Sequence, residues 1–172
     1  MKKFLVAVVL LNGILLLRPA WEGRPAEASR RTHTSGGFGK RIAGTYLYTL
    51  SLGDDVQLVG LATFGREGTV VTTDSGDSLF LGTTQSPGHA AWAQVGHQEI
   101  ALTQFELDYD EAGVLTSFFK ASGDLSFDTT FSEFMGQFVV EVFSADQDPL
   151  DPDAEPVIAL DAIVEGRRIR AQ

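Results

Sequence analysis

Short alternations of apolar and polar residues fill the chain from residue 42 to its end. In the segment Gly44–Leu52, for example, Tyr46, Tyr48, Leu50 and Leu52 occupy every second position. A period of two is typical of a β-strand with one buried face, and no convincing helical period of 3.6 residues interrupts it. The pattern predicts strands at 44–52, 56–64, 69–73, 90–95, 99–109, 114–121, 124–131, 136–144 and 157–169.

Turn residues separate these segments and indicate how they are connected. Asp110-Glu111-Ala112-Gly113 is a strong hairpin signal, whereas Asp74–Gly88 is predicted to be a long loop. Many antiparallel strands joined by short turns avoid exposed edges best when the sheet closes on itself. The predicted fold is all-β: an eight- to nine-stranded antiparallel up-and-down β-barrel, calycin-like, with an interior that side chains fill or that holds one small ligand.

The first part of the chain has the features of an export signal. Met1-Lys2-Lys3 precedes the apolar run Phe4–Leu17, which is shorter than the roughly 20 residues of a membrane span. Ala26-Glu27-Ala28 fits a cleavage site. We therefore expect a signal peptide at 1–28, a flexible basic linker at 29–41 and a barrel domain at 42–172. The mature protein would then be secreted or periplasmic without a membrane span, and an uncleaved N-terminal anchor is the alternative.

Composition excludes several classes of function. The chain of 172 residues has no cysteine, which excludes a disulfide framework, a thiolate nucleophile and cysteine-ligated metals. From residue 42 onward there are 5 basic and 21 acidic residues, a formal charge of 5 − 21 = −16. Such a body repels phosphate backbones, so we expect no nucleic-acid partner. The oligomeric state is left open.

His89 and Tyr48 are the candidates for acid–base chemistry. His89 lies where the predicted long loop becomes a strand, and its unperturbed pKa is near neutral. In the alternative interpretation, His89 hydrogen-bonds the loop backbone and Trp92 fills the barrel. Trp92 follows His89 by three positions, so in a regular strand the two side chains point to opposite faces.

Metal binding is not expected. The three histidines lie in a linker, at a loop end and in a turn, which is not the rigid frame that catalytic zinc requires. The segment Asp146–Glu155 carries five carboxylates that could suit calcium, but it lacks the glycine of an EF-hand loop and contains two prolines. A solvated acidic loop is the favoured interpretation, and we predict no cofactor.

The strand 99–109 has two faces of different chemistry. One face carries Ile100, Leu102, Gln104, Glu106 and Asp108, and the other carries Ala101, Thr103, Phe105, Leu107 and Tyr109. The second face is more aromatic, and we expect it to point inward. The opposite register would bury Glu106, raise its pKa and make it an acid candidate. The residues predicted to line a ligand pocket are Tyr46, Phe64, Trp92, Phe105 and Phe138.

Several segments carry a resemblance to known families. They are Gly44-Thr45-Tyr46, the hairpin at 63–69, the stretch Ser86-Pro87-Gly88-His89-Ala90-Ala91-Trp92 and the hairpin at 105–113. Together they make the chain resemble a group of uncharacterised exported bacterial lipocalin-like (calycin-like) proteins. The hairpin at 105–113 also resembles one in the allene oxide cyclase and dirigent barrels, which guide cyclisations or couplings of apolar intermediates.

Two functions are consistent with these residues. The first is an exported barrel that binds a small hydrophobic molecule in its interior. The alternative is a cyclase or isomerase of an apolar substrate resembling allene oxide cyclase, with His89 or Tyr48 moving a proton. The pattern of residues leaves open whether the protein is an enzyme.

Overall fold

The computed structural model describes residues 37–53, 56–76 and 83–171. The predicted signal peptide and residues 29–36 of the predicted linker lie outside these ranges. Within them the elements are α1 (Phe38–Ile42), β1 (Gly44–Leu52), β2 (Val56–Phe64), β3 (Thr69–Asp74), β4 (Thr83–Gln85), β5 (Gly88–Gln94), β6 (Glu99–Asp110), β7 (Leu115–Phe127), β8 (Glu133–Ser144) and β9 (Ile158–Arg168). No helix in the described ranges is long and apolar enough to cross a membrane.

The strands form one antiparallel sheet that closes on itself. Most strands pair with their neighbours in the chain, and β1 pairs with β9 from Tyr46↔Arg168 to Leu52↔Ala162. The short β4 and the longer β5 pair with successive parts of the same edge of β6, so they act as one interrupted strand. The predicted antiparallel up-and-down barrel is therefore confirmed as eight closed strands with β4 in addition.

Strand β7 is longer than the sequence pattern predicts. The alternation predicts separate strands at 114–121 and 124–131, yet β7 runs without interruption from Leu115 to Phe127. Gly123 does not turn the chain, because it lies opposite Leu102 of β6 and Phe138 of β8. A Cβ atom at Gly123 would lie 2.0 Å from the carbonyl oxygen of Gln137. This glycine therefore permits close approach of two strands.

Helix α1 closes one end of the barrel, which we call the closed end. Phe38 and Ile42 are buried, and the Phe38 ring contacts the rings of Phe127 and Phe131 at centroid distances of 6.4 and 5.6 Å. The expected flexible linker is therefore wrong for residues 38–41. The two apolar side chains, four positions apart, share one helix face and remove apolar surface from water.

Aromatic rings fill the space above α1. Tyr46 and Phe64 pack edge to face at 5.4 Å, and both contact Phe127. The Tyr46 hydroxyl lies 3.1 Å from the carbonyl oxygen of Ile42 and 3.0 Å from that of Phe131, and it donates its proton to this pair. The buried hydroxyl thereby fastens α1 and the β7–β8 turn to the barrel wall.

We expect Phe38→Ala to destabilise the protein by about 3 kcal/mol, the usual cost of truncating a buried phenylalanine. Phe105→Ala is the matched control, because Phe105 is only half-buried on the outer wall. The free energy of unfolding, measured by urea denaturation, compares the two. Equal losses for both variants would contradict the assignment of α1 to the core.

Candidate functional site

The inward face of β6 is the polar one. Its buried positions are Ile100, Leu102, Gln104, Glu106 and Asp108. The expectation that Phe105 points inward is therefore wrong. Phe105 lies on the outer face, opposite His89 of β5 and Lys120 of β7.

Pairing with the neighbouring strands fixes this orientation. Gln104 lies opposite Ala90 and Ala121, and Glu106 lies opposite Phe119. Directly paired residues of antiparallel strands share a face, and Phe119 and Ala121 are buried. If β6 were shifted by one residue, Gln104 and Glu106 would point to the outer face. The register therefore places Gln104 and Glu106 inside the barrel.

Tyr48 and Asp74 form a hydrogen-bonded pair on the inner wall. The Tyr48 hydroxyl donates to Oδ2 of Asp74 at 2.9 Å, and the backbone N–H of Gly76 donates to Oδ1 at 2.8 Å. Burial, reinforced by the adjacent Asp74, raises the pKa of Tyr48 far above its ordinary value. Tyr48 is thus a hydrogen-bond donor. Gly60 makes room for the pair, because a Cβ there would lie 2.6 Å from Cζ of Tyr48.

Glu106 is held beside this pair by two polar neighbours. Its Oε1 accepts a hydrogen bond from Nε2 of Gln104 at 2.7 Å and a long one from Oγ1 of Thr72 at 3.5 Å. Burial, followed by the nearby Asp74 and Asp108, raises the pKa of Glu106 to about 8. A carboxyl group in this state is neutral at pH 7 and can act as a proton donor.

Gly88 provides the space that the Glu106 side chain occupies. A Cβ at Gly88 would lie 2.1 Å from Oγ1 of Thr72, 2.6 Å from Oε1 of Glu106 and 2.7 Å from Nε2 of Gln104. Any larger side chain would displace the three polar groups. The stretch containing His89 therefore contributes to the site through its glycine rather than through its histidine.

Asp108 is the third buried polar residue on the inward face of β6. Its Oδ2 accepts a hydrogen bond from Oγ of Ser117 at 2.6 Å. Its Oδ1 is buried without a hydrogen-bond partner in the described part of the chain. We refer to the inward-facing polar set as the polar end of the barrel; its members are Tyr48, Thr72, Asp74, Gln104, Glu106 and Asp108.

An internal cavity of about 50 Å³ lies next to the polar end. One water molecule needs only about 10–15 Å³ of such space. The apolar side chains in the cavity wall are Leu50, Ala62, Phe64, Val70, Leu102, Phe119, Ala121, Leu125, Phe134, Phe138 and Val164. Tyr48, Thr72, Asp74 and Gln104 supply its polar part. The cavity thus combines an apolar wall with hydrogen-bonding groups at one end.

The structure separates the predicted site residues into three groups. Tyr48, Phe64 and Phe138 line the cavity. Tyr46 and Trp92 lie at the closed end, where the Trp92 ring packs 5.9 Å from the ring of Phe38.

His89 and Phe105 form the third group, on the outer wall. The exposed His89 side chain lies opposite Phe105 and does not line the cavity. Acid–base chemistry in the cavity therefore falls to residues other than His89.

The acidic segment Asp146–Glu155 is largely exposed, and three of its carboxylates accept local hydrogen bonds. Oδ1 of Asp148 accepts from the N–H of Leu150, and Oδ1 of Asp151 accepts from the N–H of Asp153, both at 2.9 Å. Across residues 37–53, 56–76 and 83–171, no group of three or more histidine and acidic side chains could hold a metal ion.

A groove of about 620 Å³ is lined by residues of β1, β8 and β9, by the end of β7 and by Asp128. Among its lining residues are the exposed Leu47, Met135, Glu165 and Arg167. Charges exposed to water bind weakly because solvent screens them. The internal cavity, whose polar residues Tyr48, Thr72 and Gln104 are buried, is the stronger candidate for a specific site.

We expect the stability of the protein to fall as pH rises from about 4.5 to about 8. Glu106 ionises near 4.5 when unfolded but near 8 when folded, so the unfolded state binds fewer protons in this window. Each unit of pKa difference corresponds to about 1.4 kcal/mol. Glu106→Gln mimics the protonated acid and should remove most of this slope.

Urea denaturation at pH 5, 6.5 and 8 tests this expectation. Glu165→Gln, on the exposed outer face of β9, is the control and should keep the wild-type slope. A Glu106→Gln variant with an unchanged slope would contradict the assignment of a buried, neutral Glu106.

Comparisons with known proteins add little to this geometry. No protein-family model matches the chain, and no curated protein matches it. A solved structure described as "Structure of EF1p2_mFAP2b bound to DFHBI" is similar over 78% of this chain and 98% of its own, with a TM-score of 0.48 and 14% identity. A likeness of this degree carries no conclusion about function. The resemblance to lipocalin-like proteins and to allene oxide cyclase stays a prediction from the sequence motifs.

Proposed function

We propose that the barrel binds a small, largely hydrophobic molecule in its internal cavity, as part of an exported protein. The observation that carries the proposal is a cavity with an apolar wall that meets buried, hydrogen-bonding side chains at one end. Ligand sites in proteins commonly combine apolar walls with a few oriented polar groups. Export is supported by the lysines and apolar run at residues 2–17.

The polar groups suit ligand orientation because neighbouring groups already hold them in place. Asp74 accepts hydrogen bonds from Tyr48 and Gly76, and Gln104 donates to Glu106. A ligand that enters the cavity therefore orders few side chains, which lowers the entropic cost of binding. The apolar wall removes its hydrocarbon from water.

The size of the cavity limits the ligand. Pockets for drug-sized molecules have volumes of roughly 300–1,000 Å³, whereas this cavity has about 50 Å³. The ligand is accordingly a molecule of a few heavy atoms. Ala62 and Ala121 are the smallest side chains of the wall.

A series of linear alcohols tests binding in the cavity. We expect 1-butanol to bind saturably in isothermal titration calorimetry. From methanol to butanol, affinity should rise about fourfold per methylene, the equivalent of about 0.8 kcal/mol per buried CH₂. Ala121→Leu fills the cavity and should abolish binding.

Ala159→Leu is the matched control, because Ala159 is exposed on the outer face of β9 and the same change there leaves the cavity intact. Thermal unfolding confirms that both variants fold. Equal binding by both variants, or no saturable binding by the wild type, would overturn the proposed function.

An isomerase or cyclase is the second candidate, favoured by one observation. Glu106, which is neutral at pH 7, and Tyr48, which donates a hydrogen bond to Asp74, lie at the polar end. A protonated acid next to a cavity can supply a proton to an apolar substrate while the walls orient it. Tyr48→Phe and Glu106→Gln separate the two candidates.

For the enzyme, a ligand recovered after incubation with the wild type is chemically changed, and Glu106→Gln returns it unaltered. For the binding protein, the wild type already returns it unaltered. Mass spectrometry of molecules that co-purify with each form of the protein makes the distinction.

A further inference from the structure

The polar end concentrates negative charge without a cation to balance it. Asp74, Glu106 and Asp108 occupy inward positions of β3 and β6. None of the basic side chains in the described ranges joins them there. Lys120 forms an ion pair with Glu141 on the outer wall at 2.9 Å. The others belong to α1, the β2–β3 turn and the C-terminal end of the chain; they are Lys40, Arg41, Arg66, Arg167, Arg168 and Arg170.

Buried carboxyl groups are costly unless they are protonated or paired with a cation. Glu106 is protonated: burial, followed by the neighbouring Asp74 and Asp108, raises its pKa to about 8. Asp108 shows a second sign of imbalance. It is 6% exposed, and its Oδ1 has no hydrogen-bond partner in the described part of the chain. Among the described residues, the polar end therefore leaves one buried carboxylate oxygen without a donor and contains no positive charge.

Of the ligand classes that would supply both, an ammonium group fits the contacts better than a metal ion. It offers three N–H donors and one positive charge. The carboxyl groups do not converge into a metal cage among the described residues. Asp74 forms part of the cavity wall, whereas Glu106 lies one hydrogen bond behind Gln104.

We infer that the ligand of the cavity is a small apolar amine, whose ammonium group binds at Asp74, close to the Glu106 carboxyl group behind Gln104, and whose hydrocarbon packs against Phe119 and Phe138. This inference rests on the proposed function and adds the chemical class of the ligand. A neutral or anionic ligand would leave the carboxyl groups without a counter-charge. An amine gives them one.

Binding is linked to the proton on Glu106. The titratable groups that face this side chain are Asp74 on β3, Asp108 on its own strand and Tyr48 on β1. An arriving ammonium group favours the ionised carboxylate, so the Glu106 proton leaves to solvent as the amine binds. An alkylamine itself stays protonated below about pH 10. Affinity for the amine therefore rises as pH increases from 6 to 8.

Butylamine and 1-butanol provide a matched pair of probes that differ in the head group. Titration calorimetry on the full chain at pH 6 and pH 8 compares their affinities. We expect butylamine to bind at least tenfold more tightly than 1-butanol at pH 8, with a smaller difference at pH 6. Glu106→Gln should remove most of the amine preference and its pH dependence, while 1-butanol still binds.

Two further variants test where the amine binds. Asp108→Asn, which retains the shape of the side chain, should also weaken butylamine more than 1-butanol. Glu165→Gln, in the outer groove, should change neither. Loss of butylamine binding in Glu165→Gln alone would place the amine outside the barrel and overturn the inference.

Failure of this inference differs from failure of the proposed function. If 1-butanol binds as tightly as butylamine at both pH values, the cavity binds ligands but the amine class is wrong. If neither probe binds and filling the cavity with Ala121→Leu changes nothing, both the inference and the proposed function are wrong.

Discussion

Pairing between β1 and β9 is the constraint on which the interior depends. By joining the first and last strands, it satisfies the backbone groups of both edges and fixes the circumference at eight strands. The inward side chains of every strand then face one limited space. That space is packed with aromatic rings at the closed end and leaves a cavity of about 50 Å³ beside the polar end. One end of the barrel is therefore tightly packed, whereas the other leaves space beside polar side chains.

The buried polar side chains of the polar end lower the stability of the fold. Burying Glu106 and Asp108 costs free energy that apolar residues at these positions would avoid. Mutual hydrogen bonds offset part of the cost, as between Gln104 and Glu106 and between Ser117 and Asp108. Gly60 and Gly88 leave space that side chains of this cluster occupy. An arrangement that gives up core packing to hold polar groups next to a cavity is typical of a functional site.

Much of the fold could be predicted from alternation and turn residues, because a barrel strand buries every second side chain. Helix α1 could not, because five residues following a glycine-rich stretch carry too little periodicity. The predicted orientation of β6 is wrong for a definite reason. Both of its faces carry apolar residues, and aromatic content favours the face of Phe105 over that of Glu106. Only the register with Ala121 and Phe119 decides the matter, and register is a tertiary property.

A crystal structure of the protein grown with 1-butanol would test the central claim, that the barrel interior is a ligand site, most directly. The account predicts electron density for the alcohol inside the barrel, with its hydrocarbon against Phe138 and its hydroxyl within hydrogen-bond distance of Asp74 or Gln104. A barrel whose side chains have closed over the cavity, or alcohol found only on the outer wall, would contradict it.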